Sequence, residues 1–248
     1  MLEIHDHGAV RELRLAHPPV NALGSALIQR LTAELGAARD AGARAIVLSG
    51  QPGLFSAGLD VRELTSLSEE GVRHFVTGFA ALQERLARLP IPIVAAITGQ
   101  CPAGGTVLAL YCDHRIMARG PFRIGLNEVQ VGLYPSQLLF RAFERLVGTG
   151  RAVSLLPRGA LIDPEAALAA GLVDELCPPE QVVPRALALA AELVALPPLA
   201  YTRTRELVRR DLVKLFDEPE EDAAKVFGAG IVTDETRAQM KKLLAKPG

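Results

Sequence analysis

The stretch ITGQCPAGGTVLAL, residues 97–110, constrains the fold of this 248-residue chain more than any other segment. It passes from an apolar strand through small residues into a helix. The same design occurs earlier, in AIVLSGQPGLFSAGLD (45–60), where an apolar run leads into a loop, Gly50–Asp60, that contains three glycines. Small residues let another group approach the backbone closely. A helix that follows at once aims its unpaired N–H groups and positive dipole end outward. Such strand–loop–helix units, repeated, predict an α/β fold.

The spacing of Gly99, Gly104, Gly105 and Thr106 approaches that of a phosphate-binding loop, but glycine stands where the lysine belongs. Without that point charge the loop cannot reach β- and γ-phosphates as such loops do. Val173-Asp174-Glu175 is the nearest approach to a metal-binding strand end, and it fits a helix-to-strand junction better. A nucleotide triphosphatase is therefore disfavoured.

Periodicity supplies the remaining elements. Leu2–His5 and Val10–Leu15 alternate around Asp6-His7-Gly8 and predict a hairpin. Leu27, Leu31 and Leu35 mark an amphipathic helix over 25–40. Ala45–Leu48 reads as a buried strand, 69–88 as a long helix stopped by Pro90 and Pro92, and Ile93–Ile97 as a strand. Gly104–Leu110 reads as helix and Asp113–Ala118 as strand. No repeat is visible as sequence identity. Beyond Pro178 the texture turns helical, over 180–196, 199–212, 219–227 and 234–244, with Pro197-Pro198 as a joint. The expected division is a core over 1–185 and a helical region over 186–248.

Bulk properties remove several classes of function. The net charge is −1 and aromatic residues make up 4%, which disfavours a dedicated nucleic-acid surface. No apolar run reaches membrane-spanning length, and MLEIHDHGAVRELRL has neither the basic nor the apolar region of a secretion signal. Cys101, Cys112 and Cys177 form neither a disulfide framework nor a zinc pattern and suit a reducing cytoplasm. The five histidines lack metal-ligand spacing. All five lysines fall within the last 35 residues, either as a solvated surface or as a basic contribution to an anionic ligand or neighbouring subunit.

Two loops of this design, FSAGLD and CPAGGT, are suited to an oxyanion hole if their amides converge, and are otherwise plain tight turns. An acid is then needed. RIGLNEVQVGL (123–133) sets Asn127-Glu128 among Ile124, Leu126, Val129, Val131 and Leu133. A carboxylate in that setting has a raised pKa and can accept and return a proton, unless it caps a helix or bonds local amides. Asp60, at a helix start, reads first as a cap for backbone N–H groups.

Five blocks, HPPVNAL (17–23), AIVLSGQPGLFSAGLD (45–60), PIVAAITGQCPAGGTVLALYCDHRIMA (92–118), IGLNEVQVGL (124–133) and GLVDELCP (171–178), stand in the order and spacing of the crotonase superfamily. The chain resembles these enoyl-CoA hydratases and isomerases, and is most similar to the Δ3,Δ2-enoyl-CoA isomerases. The resemblance implies a spiral of ββα turns with C-terminal helices that form trimers or hexamers. It implies acyl-CoA thioesters as substrates with no further cofactor; the absence of a metal, nucleic-acid or membrane partner is expected from the composition and spacing given above. It places the two enolate-binding amides on Leu59 and Gly104 and the catalytic carboxylate on Glu128. Ala22, Ser56, Ala57, Gly58, Asp60 and Asn127 fall at substrate-binding positions.

The resemblance also separates two reactions. Hydratases use two glutamates, and the first falls here on Val107, which can neither donate nor accept a proton. One carboxylate beside an oxyanion hole suits a one-base shuttle of a 3-enoyl thioester to its 2-trans isomer. The alternative is a hydratase, or another crotonase acting on CoA or carrier-protein thioesters, with its second group at Asp60, Glu63 or Tyr134.

Overall fold

A computed structural model describes residues 1–218 and 222–244. The expected hairpin forms from β1 (Leu2–His7) and β2 (Val10–Leu15), followed by α1 (Ser25–Ala37) and β3 (Ala45–Ser49). Next come β4 (Gly53–Leu54), α2 (Val61–Ser66), α3 (Glu69–Arg88), β5 (Ile93–Ile97), β6 (Gly99–Pro102) and α4 (Gly104–Leu110). The core closes with β7 (His114–Ala118), β8 (Ile124–Gly125), α5 (Gln137–Val147), α6 (Thr149–Leu155), α7 (Pro164–Ala170) and β9 (Glu175–Cys177).

The strands form two sheets. The larger has the order β1-β2-β3-β5-β7-β9, antiparallel at β1/β2 and parallel elsewhere, and the smaller is β4-β6-β8, all parallel. Each small-sheet strand follows a large-sheet strand and precedes helix. The chain therefore winds in stacked ββα turns, the spiral that sequence identity does not display. Crossovers of this kind bury both faces of the sheet's centre, so β3 and β5 are buried throughout and read as near-continuous apolar runs, while the edge hairpin β1/β2 alternates. Ile46 and Leu48 face one core layer, while Ala45 and Val47 face another that includes Ala186 and Ala190.

The C-terminal helices are α8 (Val182–Ala195), α9 (Pro198–Val208), α10 (Arg210–Asp217), α11 (Ala223–Ile231) and α12 (Asp234–Leu244). The chain bends by 112° at the Pro197-Pro198 joint. No single helix among the described residues is long and apolar enough to cross a membrane. The helix predicted over 199–212 is broken at Arg209, whose backbone leaves helical geometry (φ −106°, ψ 1°). The cause is tertiary. The Arg209 guanidinium turns inward to Asp113 (3.0 Å) and to the carbonyls of Leu86, Ala87 and Tyr111 (3.1, 3.1 and 2.9 Å). The start of the helix predicted over 219–227 lies outside the described residues, as does Lys246.

Candidate active site

The FSAGLD loop is built from its anchors outward. Phe55 is fully buried. Asn21, also fully buried and held at φ 49°, accepts from the His17 amide (2.7 Å) and donates to the carbonyls of Leu15 (2.9 Å) and Phe55 (3.1 Å). Ser56 Oγ donates to Asn21 O (2.8 Å) and accepts from the Gly58 amide (3.1 Å). Leu23 N donates to Gly58 O (2.8 Å) and Asp60 N to Leu23 O (3.1 Å), which stitches HPPVNAL to the loop. Each such bond contributes about 1 kcal/mol net. Their larger effect is to leave the loop a single conformation.

The CPAGGT loop is held from the other side. Cys101 N and Ala103 N donate to Arg123 O and Gly125 O (2.9 Å each). Thr106 Oγ1 accepts from the Gly125 amide (2.9 Å) and donates to Cys101 O. Ala103 closes the turn at φ 49° and ψ −122°, a positive-φ conformation outside the left-handed helical region that an L-residue holds at a cost of about 1–3 kcal/mol. Strain of that size persists where the surroundings over-determine it.

The loops meet. A Cβ on Gly104 would stand 3.1 Å from Leu59 N, and one on Gly58 3.0 Å from Ala103 Cβ. Glycine at both positions lets the two backbones touch. Along this seam the amides of Ala57, Gly58, Asp60 and Ala103 are taken by Val20 O, Ser56 Oγ, Leu23 O and Gly125 O. Among the described residues, no acceptor takes the Leu59 or Gly104 amide. Two adjacent donors without an internal partner are what a developing oxyanion needs.

Both positions line a cavity of about 670 Å³, within the range of small-molecule sites. Its mouth includes the exposed Pro18, Val20 and Arg62; its interior includes the buried Phe79, Val107, Leu133 and Leu139. Glu128 also lines it, at the start of a 3-10 turn, Glu128–Val131, that is closed by Gly132 in the left-handed conformation (φ 78°). Glu128 is 7% exposed, and its Oε2 is buried with no hydrogen-bond partner. Burial pushes its pKa up to about 7, against a weaker lowering by its own amide. The raised pKa expected from the sequence is present, and no cap for a following helix is seen.

The other predicted positions divide. Ala22, Ala57, Asp60 and Asn127 line the cavity with Leu59, Gly104 and Glu128, and Asn127 Oδ1 is likewise buried and unpaired. Ser56 and Gly58 do not; they lie behind the wall, where Ser56 is fully buried and holds the loop together. Asp60 accepts from the Arg62 and Glu63 amides (3.0 and 3.1 Å) and so caps α2, as its sequence position suggested. Glu63 turns away to the Ser25 amide (2.9 Å) and hydroxyl, and Tyr134 is an exposed residue reaching Val226 O (3.4 Å). Of the three groups considered as a second acid, Asp60 alone reaches the cavity.

Sequence reasoning missed Asn21 as an organiser, although it stands inside HPPVNAL. It also missed Phe79, Leu139, Phe227 and Met240 as lining residues. These come from four helices, and their apolar spacing is indistinguishable from that of ordinary core positions.

Known proteins match this arrangement. The family model for Enoyl-CoA hydratase/isomerase matches residues 5–246. Human mitochondrial enoyl-CoA delta isomerase 1 is 38% identical over 212 residues, 83% of this chain and 69% of that protein. A probable enoyl-CoA hydratase of Bacillus subtilis is 33% identical over 240 residues, 96% of this chain and 93% of that one. The crystal structure of human mitochondrial delta3-delta2-enoyl-CoA isomerase superposes with a TM-score of 0.92 at 31% identity, covering 98% of this chain and 96% of that chain. With its stacked ββα turns and paired glycine loops, this chain belongs to the enoyl-CoA hydratase/isomerase family, the crotonases.

Proposed function

We propose that the protein is a Δ3,Δ2-enoyl-CoA isomerase working with one base. The observation that carries this reading is Glu128, a buried carboxylate with a free Oε2, sharing a cavity with the Leu59 and Gly104 amides and with the inert Val107. Glu128 as carboxylate takes a proton from C2 of a 3-enoyl thioester. The electron pair moves toward the thioester oxygen, and the dienolate oxygen accepts from the two amides. Glu128, now a carboxylic acid, returns the proton at C4, leaving the double bond at C2–C3. No water enters the balance.

The magnitudes favour this division of labour. Losing one oxyanion-hole donor typically costs about 3–4 kcal/mol, and a positioned base adds roughly 10²–10⁴-fold. A hole and one base suffice for proton transfer. Adding water across a double bond calls for a second group to activate it, and Val107, 1% exposed and apolar, has no such chemistry. Names among the relatives include both isomerase and hydratase, so the reading rests on the site. Assembly as a homotrimer or a hexamer is part of the same proposal.

The hydratase reading is kept alive by Asp60, the second carboxylate at the cavity wall. Offering 3-hexenoyl-CoA and crotonyl-CoA side by side separates the two. We expect rapid isomerisation of the first and slow hydration of the second. Rapid hydration without isomerisation would sink the isomerase proposal.

A further inference from the structure

Behind the large cavity lies a second, small one of about 20 Å³, lined by Val76, Ala80, Gln83, Ser136 and Leu138 together with three residues of the large cavity. Those three, Phe79 of α3, Leu139 of α5 and Phe227 of α11, are the only side chains among the described residues that line both. They are 4%, 4% and 7% exposed and belong to one apolar core cluster. The wall between the cavities is therefore one layer of side chains, contributed by three separate helices.

Each side of the wall has a distinct character. On the near side are the apolar interior residues of the large cavity. On the far side the space holds no more than a water-sized group. It ends at Gln83, whose Nε2 donates to Phe79 O (3.3 Å) and whose Oε1 accepts from Tyr111 (3.0 Å). Ala80 and Leu138 are only half-buried, so the small cavity leads toward the surface between α3 and α5.

We propose that Phe79, Leu139 and Phe227 form an end wall that sets the longest acyl tail the enzyme accepts. The inference rests on the acyl-thioester reading of the site. The thioester carbonyl is held at the Leu59/Gly104 seam, so the tail runs from Glu128 into the buried apolar end. Interiors are packed to crystal-like density, and a wall of two aromatic rings and a leucine yields little to a longer chain. Removing one wall side chain joins the two cavities and opens a path toward Ala80 and Leu138.

The test compares kcat/KM for 3-dodecenoyl-CoA with that for 3-hexenoyl-CoA in the parent protein and in Phe79→Ala and Leu139→Ala. The ratio is taken within one preparation, so a reduced folded fraction cancels. It should rise about tenfold or more in both variants, the scale on which a hydrophobic pocket discriminates tail length. If Phe79→Ala does not fold, Phe79→Leu serves, with a smaller rise. A ratio equal to the parent's in every variant overturns the end wall and leaves the isomerase proposal standing. If the parent isomerises no 3-enoyl-CoA, the isomerase proposal falls. The wall is then read by calorimetric binding of hexanoyl- and dodecanoyl-CoA, where a variant-dependent shift toward the longer tail supports it and its absence overturns it.

Discussion

The Asp113 carboxylate meets Arg205 at 2.9 and 3.0 Å, Arg209 at 3.0 Å and the Ile93 amide at 2.8 Å. The Glu128 carboxylate is about as deep, and its Oε2 meets nothing. Burial pushes both pKa values up. At Asp113, Arg209 and Arg205 overcome the burial and hold the carboxyl below its ordinary range; at Glu128 burial prevails and the value reaches about 7. Desolvation thus has two outcomes, decided by whether countercharge is supplied. The supplied carboxylate ties Arg205 of α9 and Arg209 at the α9–α10 break to the start of β5, and the same two guanidiniums reach carbonyls at the ends of α3 and α4. The bare one is left able to exchange a proton near neutral pH, at a cost in stability.

The largest break in this comparison is Glu128→Gln. Isomerisation of 3-hexenoyl-CoA should fall roughly 10²–10⁴-fold in kcat/KM, while calorimetry still detects hexanoyl-CoA binding. Retained turnover would show that the bare carboxylate is not the base.

Next in size is Asp113→Asn, which leaves the Arg205 and Arg209 guanidiniums buried side by side. Breaking a buried ion pair costs about 3–5 kcal/mol, seen as a lower midpoint of denaturant unfolding. A neutral result would mean that the countercharge does not hold these helices.

The pH dependence sharpens the contrast, because the two groups have opposite signs. The folded pKa of Glu128 lies above its unfolded value. Its contribution to stability is present below the ordinary carboxylate range and lost as pH rises through about 7. Glu128→Gln should therefore be more stable than the parent above neutral pH, by on the order of 3 kcal/mol. The two should converge in acid. Asp113 has a depressed folded pKa, so its contribution is present above the ordinary range and lost as pH falls through that value. The kcat/KM of the isomerisation should decline about tenfold per unit below pH 7 as Glu128 takes up its proton.

Much of the site was legible because its chemistry is local. A glycine loop followed by a helix writes its own signature, and α4 begins at Gly104 and ends at Leu110, as read from the residues. Glu128 stood out as an acid among apolar neighbours, and its raised pKa follows from that setting. Ser56 was misplaced because a small polar residue in a ligand loop looks the same whether it faces the ligand or the loop's own backbone. The break at Arg209 was invisible because its cause, Asp113, lies 96 residues earlier.

By itself, then, the sequence determined the α/β class, the five blocks of the family, the two amide-bearing turns and the acid beside them. These are properties of short segments, governed by backbone freedom, helix ends and apolar periodicity. Only the tertiary structure decided that Gly58 and Gly104 press the turns together, that Asp60 rather than Glu63 or Tyr134 reaches the cavity, and that Phe79, Leu139 and Phe227 line both cavities. Each of these depends on packing between segments far apart in the chain, where contact is set by the fold's geometry and leaves no local pattern to read.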